Sequence, residues 1–319
     1  MVKKILAVML CVVMVFALTA CGNSQEAAFP SEAVNVIVPY AAGGGTDLMV
    51  RGAAGNIDLD GQTMVVTNIE GGNSLTGAYE CYNADPDGYT LLSIALETIV
   101  AMNMSGTTKE ALYEELTPIA SLVTDPCIIA VEKNSEWQNW DDFVAYAKEA
   151  GKKCTIASTS RGGSNEFFTY GLAEVSGFEF TYVPYDGGAK SRTAVLSGEN
   201  DAVMCQLSEI KALIDSGDMR LLGVAADERS QFFPDAQTFK EQGYDITSGL
   251  HRAVWGPGGM DAEIQTYLSD ALKNACATDS CNETYLNLGY EPIFTDAETL
   301  VSLVEETKAR YEHWATLIK

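Results

Sequence analysis

The residues best suited to chemistry lie in a glycine-rich segment, Val38-Pro39-Tyr40-Ala41-Ala42-Gly43-Gly44-Gly45-Thr46-Asp47. A β-branched run ends at Val38, three glycines turn the chain, and Thr46 and Asp47 favour the start of a helix. Glycines let backbone N–H groups approach a ligand, and a helix N-terminus attracts negative charge. The segment therefore predicts an anion-binding loop. It is neither a P-loop nor a GxGxxG fingerprint, and a glycine-rich turn without a ligand explains it equally well.

A second polar segment, Ser158-Thr159-Ser160-Arg161-Gly162-Gly163-Ser164, also lies between a predicted strand and a predicted helix. It offers hydroxyls, backbone N–H groups and one cation, Arg161. Two such loops, one in each half of the chain, would face each other across a cleft. In that arrangement Arg161 would bind a second ligand carboxylate, since a guanidinium suits carboxylate recognition. The alternative is an ordinary helix start with solvated hydroxyls, in which Arg161 points to solvent and pairs with Glu166.

The sequence contains no recognisable catalytic constellation. Its two histidines are His251 and His313, and His313 lies on a predicted surface helix. Neither a Gly-x-Ser-x-Gly elbow nor a Ser-x-x-Lys nucleophile motif stands out. The cysteines form no CxxC pair and lie beside no histidine at metal-binding spacing. We therefore expect no enzyme activity, no metal and no cofactor.

The N-terminus predicts export and a lipid anchor. Lys3 and Lys4 precede an apolar run from Ile5 to Leu18, and Leu18-Thr19-Ala20-Cys21 has the form of a bacterial lipobox. Residues 1–20 are then a signal peptide, Cys21 is the lipidated first residue, and residues 21–32 are a tether. The alternatives are an ordinary signal peptide or one membrane span, but the run is shorter than the ~20 residues of a span.

Composition narrows the choice of partners. The chain has 319 residues, which suggests about two domains, and a formal net charge of −24. That charge disfavours nucleic acid and anionic lipid headgroups, although a small anion in a closed cleft is governed by local donors. Six of the eight cysteines lie in the mature body. Cys276 and Cys281 are close enough for a local disulfide, and the sequence leaves open whether it forms.

Short β-branched runs alternate with helical stretches, which predicts an α/β fold with largely parallel sheets. The pattern gives no linker between domains, so the chain is expected to cross between two lobes more than once. The predicted strands are 34–38, 64–67, 89–94, 118–123, 127–131, 154–158, 180–183, 202–205 and 221–225. The predicted helices start at 46 and cover 75–82, 140–149, 165–175, 189–196, 262–277 and 296–317.

The sequence resembles the solute-binding receptors of tripartite tricarboxylate transporters from about Val34 to the C-terminus. The glycine-rich segment is similar to the first-loop motif of that family. Pro86-Asp87-Gly88-Tyr89-Thr90-Leu91-Leu92, Val183-Pro184-Tyr185 and Asp201 after Gly198 follow at the family spacing. The resemblance implies a two-lobed, clamshell binding protein of type II-like architecture, each lobe a mostly parallel sheet flanked by helices. It also implies delivery of a small organic carboxylate to a membrane permease.

The resemblance further implies which residues bind the ligand. In the family, backbone amides, hydroxyls and ordered water hold the carboxylate. The matching positions here are Tyr40, Ala42, Gly43, Gly44, Asp47, Thr159, Ser160, Ser164 and, nearby, Asp201. Thr159 and Arg161 stand where serine and glycine are usual, and Arg161 is added to the set as the candidate for ligand preference. His251 and Arg252 stand where an aromatic and a variable residue are typical, so these departures affect the choice of ligand.

The expected organisation places residues 33–127 and 250–319 in the first lobe and residues 128–249 in the second, in a monomer. Three functions remain open on the sequence alone. The chain is a lipid-anchored receptor for a mono-, di- or tricarboxylate, a receptor of the same fold that serves a signalling partner, or an extracytoplasmic hydrolase. The third needs a nucleophile and base that the sequence does not supply.

Overall fold

The computed structural model describes residues 29–159 and 161–318. Cys21, the predicted signal peptide, most of the predicted tether and Ser160 lie outside the described residues. The strands are β1 Val34–Val38, β2 Met64–Asn68, β3 Thr90–Ala95, β4 Thr117–Glu132, β5 Thr155–Thr159, β6 Thr181–Tyr185, β7 Ala202–Gln206, β8 Met219–Val224, β9 Gly249–Gly256 and β10 Thr295–Asp296. The helices are α1 Gly45–Ala54, α2 Leu75–Tyr82, α3 Leu96–Met104, α4 Leu112–Glu115, α5 Trp140–Ala150, α6 Ser164–Ser176, α7 Gly188–Leu196, α8 Leu207–Asp215, α9 Ala262–Cys276, α10 Asp279–Asn287 and α11 Ala297–Ala315.

The strands form one curled, mixed sheet in the order β2-β1-β3-β9-β4-β7-β5-β6, with β8 and β10 also paired to β4. The fold is α/β and two-lobed, as the sequence predicts. Strand β1 runs parallel to β2 and β3 in the first half of the chain, and β5 runs parallel to β6 and β7 in the second. Every pair that involves β4 or β9 is antiparallel, so the sheet is less uniformly parallel than predicted.

The structure differs from the predicted strands in β9, which the sequence pattern does not predict although it pairs with β3 and β4, and in β4. The sequence predicts two strands on either side of Asp125-Pro126, whereas the structure has one strand of 16 residues. Its first part pairs with β9, and its last part pairs with β7 and β8. Pro126 lacks an N–H group, and a strand tolerates proline where ladder pairing changes. Here Pro126 lies opposite Gly249, at the end of the β9 ladder and before the β7 ladder begins.

The core is apolar and continuous between the two parts of the sheet. One cluster joins Ile37 and Leu92 of the first part to Ile129, Ile156 and Met204 of the second. Among the described cysteines, Cys276 and Cys281 are buried free thiols and no disulfide joins them. No helix in the described part of the chain has both the length and the apolarity that crossing a bilayer requires.

Candidate functional site

A cavity of about 940 Å³ opens between the two halves of the sheet. Its volume lies in the range of small-molecule sites, about 300–1,000 Å³. Residues from both halves line it: Pro39, Tyr40, Ala41, Gly44, Gly45, Thr46, Leu48, Glu70, Gly71, Asn73, Ser74, Thr98, Met102, Thr159, Gly162, Gly163, Ser164, Asn165, Asp186, Gly187, Gly188, Gln206, Ser208, Glu209, Leu250, Arg252, Leu288 and Tyr290. Seven of these residues are glycines, and many of the others have polar side chains.

Helix starts dominate this lining. Helices α1, α2, α3, α6, α7 and α8 each follow one of the parallel strands β1, β2, β3, β5, β6 and β7. Each of the six contributes an N-cap or first-turn residue to the cavity. Carboxyl ends of parallel strands meet at one edge of a sheet, which is where ligands bind in open α/β folds. The chain thus directs six positive helix ends towards one space.

The capping of these helices differs from the capping of the others. None of the six helices at the cavity has a side-chain hydrogen bond from its N-cap residue. The other described helices of eight or more residues, α5, α9, α10 and α11, begin away from the cavity. Each has such a cap, from Asn139, Asp261, Thr278 and Asp296 respectively. Because first-turn N–H groups need an acceptor, the cavity is the place where a ligand can supply one.

The first predicted loop forms one wall of the cavity, but its donors differ from the prediction. Tyr40 and Gly44 line the cavity, whereas Ala42, Gly43 and Asp47 do not. The Gly43 amide donates to Asp47 Oδ2 at 2.8 Å, and the Gly44 amide donates to the Ala41 carbonyl at 3.2 Å. Both amides are therefore already engaged. Within the described residues, the amides of Gly45 and Thr46 have no acceptor, so they are the open donors of this loop.

Asp47 stabilises this loop from behind. Burial opposes ionisation of its carboxyl, but hydrogen bonds from Arg51, the Gly43 amide and Asn68 hold the pKa of Asp47 below its ordinary value. Asn68 Nδ2 donates to Asp47 Oδ1 at 2.9 Å, and Arg51 Nε donates to Oδ2 at 3.0 Å. The carboxylate thus fixes the turn that presents Gly45 and Thr46.

The second predicted loop forms the opposite wall. Thr159 and Ser164 line the cavity, and Asn165 Nδ2 donates to Thr159 Oγ1 at 3.2 Å. Gln206 Nε2 donates to Asn165 Oδ1 at 2.8 Å, which fixes the orientation of the Asn165 amide. Arg161 does not line the cavity. It donates to Glu166 at 2.9 Å with 59% of its side chain exposed, as in the surface alternative.

Asp201 lies at the opposite edge of the sheet. It precedes β7, whereas the cavity is built by residues that follow the parallel strands. Its carboxylate accepts from the amide and hydroxyl of Thr155, at 2.7 and 2.9 Å. Asp201 was expected near the ligand, but the two ends of one parallel strand lie at opposite edges of the sheet. Asp201 therefore ties β7 to β5 and is outside the cavity.

Arg252 lines the cavity, although the sequence singles it out only as a departure from the family pattern and not as a binding residue. It is 8% exposed, and its guanidinium carbon lies 4.9 Å from the ring centre of Tyr290. Arg252 Nη1 donates to Thr46 Oγ1 at 2.9 Å, and Nη2 donates to Asp125 Oδ2 at 2.7 Å. Asp125 also accepts from the amide and hydroxyl of Ser208. This network connects α1, β4, β9 and α8. The sequence signal that could have found Arg252 is an arginine inside the largely apolar run of β9.

A second charge pair lies on the α7–α8 side. Glu209 lines the cavity from the first turn of α8, and Arg192 Nη1 donates to its Oε2 at 2.8 Å. Burial raises the pKa of Glu209 above its ordinary value. Together with the Asp125–Arg252 pair, this gives two carboxylates and two guanidinium groups. The inner wall of the cavity therefore has balanced charge, and backbone amides are left to bind an anion.

Among the described residues, no histidine or cysteine lines this cavity. His251 pairs with Glu97 and His313 pairs with Glu174, and neither histidine lines the cavity. No group of three or more His, Cys, Asp or Glu side chains within residues 29–159 and 161–318 is arranged to hold a metal ion. The arrangement can bind and orient a ligand.

Comparison with known proteins agrees with this geometry. A UPF0065 protein of Agrobacterium vitis is 29% identical over 294 residues, which is 91% of this chain and 84% of that protein. A solute-binding protein from Polaromonas, solved without ligand, has 25% identity and a TM-score of 0.78, covering 90% of this chain and 99% of that one. MatC from Rhodopseudomonas palustris, solved with bound malate, has 24% identity and a TM-score of 0.76, covering 90% and 100%.

The family assignment rests on most of the chain. The model of the tripartite tricarboxylate transporter family receptor matches residues 49–319. That range includes every described strand except β1 and all of the cavity lining except the first loop. The chain therefore belongs to the tripartite tricarboxylate transporter family of receptors, as its sequence motifs predict.

Proposed function

We propose that this protein is an extracytoplasmic solute receptor that captures a small organic carboxylate in the cavity between its lobes. The observation that carries the proposal is the set of six helix starts around one cavity, none with a side-chain hydrogen bond from its own N-cap residue. Helix N-termini bind anions through open N–H groups and the helix dipole. The malate bound by MatC, a protein of the same fold, is consistent with a carboxylate ligand.

The ligand carboxylate binds between the starts of α1 and α6. On one side the donors are the amides of Gly45 and Thr46, and on the other they are the amides of Ser164 and Asn165. The hydroxyls of Tyr40, Thr159 and Ser164 complete the set. Because the charge of Arg252 is matched by Asp125, recognition depends mainly on amides, whose hydrogen bonds to a charged acceptor contribute about 1.5–3 kcal/mol each.

The full proposal also includes a lipid anchor and a membrane partner. Cys21 in Leu18-Thr19-Ala20-Cys21 is acylated, and the tether holds the receptor at the outer surface of a membrane. From there it delivers its ligand to a tripartite tricarboxylate-type permease. Mass spectrometry of the membrane fraction of a native host tests the anchor. A processed N-terminus without acyl chains on Cys21 contradicts it, and Cys21→Ala is expected to release the protein.

A thermal-shift screen of mono-, di- and tricarboxylates, followed by calorimetry, tests the ligand class. A ligand at about 100 times its Kd stabilises the folded state by about 2.7 kcal/mol, which a melting curve resolves. Neutral sugars serve as the control panel, because they lack the charge that the helix starts attract. The proposal fails if no carboxylate binds, or if sugars stabilise the protein and carboxylates do not.

A further inference from the structure

The α8 side of the cavity differs from the other sides because a carboxylate from the first turn of its helix lines the cavity. Four of the six helices at the cavity have acidic residues in their first turns: Asp47, Glu97, Glu166 and Glu209. The first three do not line the cavity, because each is engaged elsewhere. Asp47 accepts from the Gly43 amide and Arg51, Glu97 from His251, and Glu166 from Arg161 and the Gly162 amide. Glu209 alone among these four faces the cavity.

Glu209 has an oxygen available for a ligand. Arg192 occupies Oε2 at 2.8 Å, and within the described residues Oε1 has no hydrogen-bond donor. The side chain is 32% exposed. Its Oε2 lies against the start of α7, where a Cβ at Gly188 would meet it at 2.5 Å. Asp186, just before α7, lines the same side, where it is solvent-exposed and accepts from Lys190 at 3.1 Å. A ligand that extends towards α7 and α8 therefore meets acceptors, whereas near α1 and α6 it meets amide donors.

The cations near these acceptors are already paired, Arg192 with Glu209 and Lys190 with Asp186, and the single cation in the described lining, Arg252, is paired as well. Arg252 donates to Asp125, which is fully buried, and to Thr46. A second carboxylate on the ligand would approach Glu209, which is paired with Arg192, without an unpaired cation among the described lining residues, and like charges at such short range repel. A cationic group at the same place would gain a charge-assisted hydrogen bond.

We propose that the ligand is an amino acid or a related amino carboxylate, whose ammonium group donates to Glu209 while its carboxylate binds at the starts of α1 and α6. This inference rests on the proposed function and makes it more specific. It assigns Glu209 as the residue that determines the preference for a cationic substituent, a role that the first-turn carboxylates of α1, α3 and α6 cannot share.

Matched ligand pairs test the inference by isothermal titration calorimetry. The pairs are succinate and aspartate, glutarate and glutamate, and butyrate and 4-aminobutyrate, which differ only in the amine. We expect at least one amino-bearing partner to bind about tenfold or more tightly than its plain acid, the range of one charge-assisted hydrogen bond. Glu209→Gln keeps the size and an acceptor for Arg192 but removes the charge, so this preference should fall to about threefold or less.

Asp215→Asn is the matched control, since it removes one carboxylate from the exposed end of the same helix and should leave every affinity unchanged. Thermal melts of each variant establish folding, and if Glu209→Gln does not fold, the ligand pairs on the unaltered protein still decide. Plain acids that bind as tightly as their amino partners overturn the inference and leave the proposed function intact. A preference that survives Glu209→Gln also overturns it. Failure of every carboxylate to bind overturns both.

Discussion

Adding a charged cap to one helix at the cavity should abolish ligand binding without harming the fold. Gly163 is the N-cap residue of α6, with φ −92° and ψ 167°, a conformation open to any residue. A Cβ built there meets no atom within 4 Å. Gly163→Asn and Gly163→Asp place side chains of nearly equal size and capping ability at this position. The two variants differ in one negative charge.

The expected magnitudes follow from where an N-cap oxygen lies. It accepts from the second or third helical amide, so in Gly163→Asp it lies about 4 Å from a ligand carboxylate that uses the same turn. Two unit charges at about 4 Å repel by about 4 kcal/mol at an effective dielectric constant near 20, which corresponds to roughly a thousandfold weaker binding. Gly163→Asn should weaken ligand binding by about 1.5–3 kcal/mol, the value of one hydrogen bond from a backbone amide to a charged acceptor.

Stability should change little or rise. A side-chain cap in place of glycine adds a few tenths of a kcal/mol, and in the Asp variant the helix dipole adds about 0.3–1 kcal/mol. Repulsion from Glu166 offsets part of this gain, although Glu166 already pairs with Arg161. Calorimetry with the tightest acid of the carboxylate panel measures affinity, and urea denaturation measures stability. Asn139→Asp makes the same charge change at the cap of α5, away from the cavity, and should leave affinity unchanged. If the Asp and Asn variants at position 163 bind equally well, the ligand charge does not lie at the start of α6.

Three further predictions concern charged residues around the cavity. Arg252→Met leaves the Asp125 carboxylate buried with only its Ser208 bonds, so it should lower the free energy of unfolding by about 3–5 kcal/mol in urea denaturation. Adding Asp125→Asn should recover part of this loss. A loss under about 1 kcal/mol for Arg252→Met contradicts the assignment of a buried pair. Arg161→Ala removes an exposed ion pair, so it should change the free energy of unfolding by at most about 1 kcal/mol and leave ligand affinity unchanged. A selective loss of dicarboxylate binding would instead show that Arg161 faces the cleft. Burial lowers the pKa of His251, but the Glu97 carboxylate raises it by more, so this pKa lies above 6.5. The stability from the His251–Glu97 pair is therefore full below pH 6.5 and is lost as pH rises through the raised pKa. Denaturation at several pH values measures this profile, and His251→Gln should flatten it.

Four of the six helices at the cavity, α1, α2, α6 and α7, were predictable from the sequence, whereas α3, α8 and strand β9 were not among the predicted elements. Glycine-rich turns after β-branched runs mark the starts of α1 and α6, and the structure begins these helices at Gly45 and Ser164. The periodicity of 75–82 predicts α2 with the same bounds. These features depend on local backbone preferences, which one sequence contains. The family resemblance extended this to the two-lobed arrangement.

The side chains inside the cavity were less predictable because long-range contacts determine them. Arg252 pairs with Asp125, 127 positions away in the chain, and no local pattern records such a pair. For Arg161 the sequence leaves a cleft-facing position and a surface pair with Glu166 both open, and in the structure Glu166 holds it outside the cavity. Asp201 follows the family motif, but its position before β7 places it at the opposite edge of the sheet. Loop membership thus predicts backbone donors better than it predicts where charges point.

Strand β4 also determines how the molecule unfolds. Its 16 residues contribute to both parts of the sheet, and the core cluster that contains Ile37 and Leu92 also contains Ile156 and Met204. Separating the lobes would break a continuous hydrogen-bonded strand and expose apolar side chains on both sides. Each lobe also has an apolar cluster of its own, but neither would keep the shared cluster or the full length of β4 if the other unfolded. Despite its two-lobed shape, the protein should behave as one cooperative unit, with a single transition in which calorimetric and van't Hoff enthalpies agree.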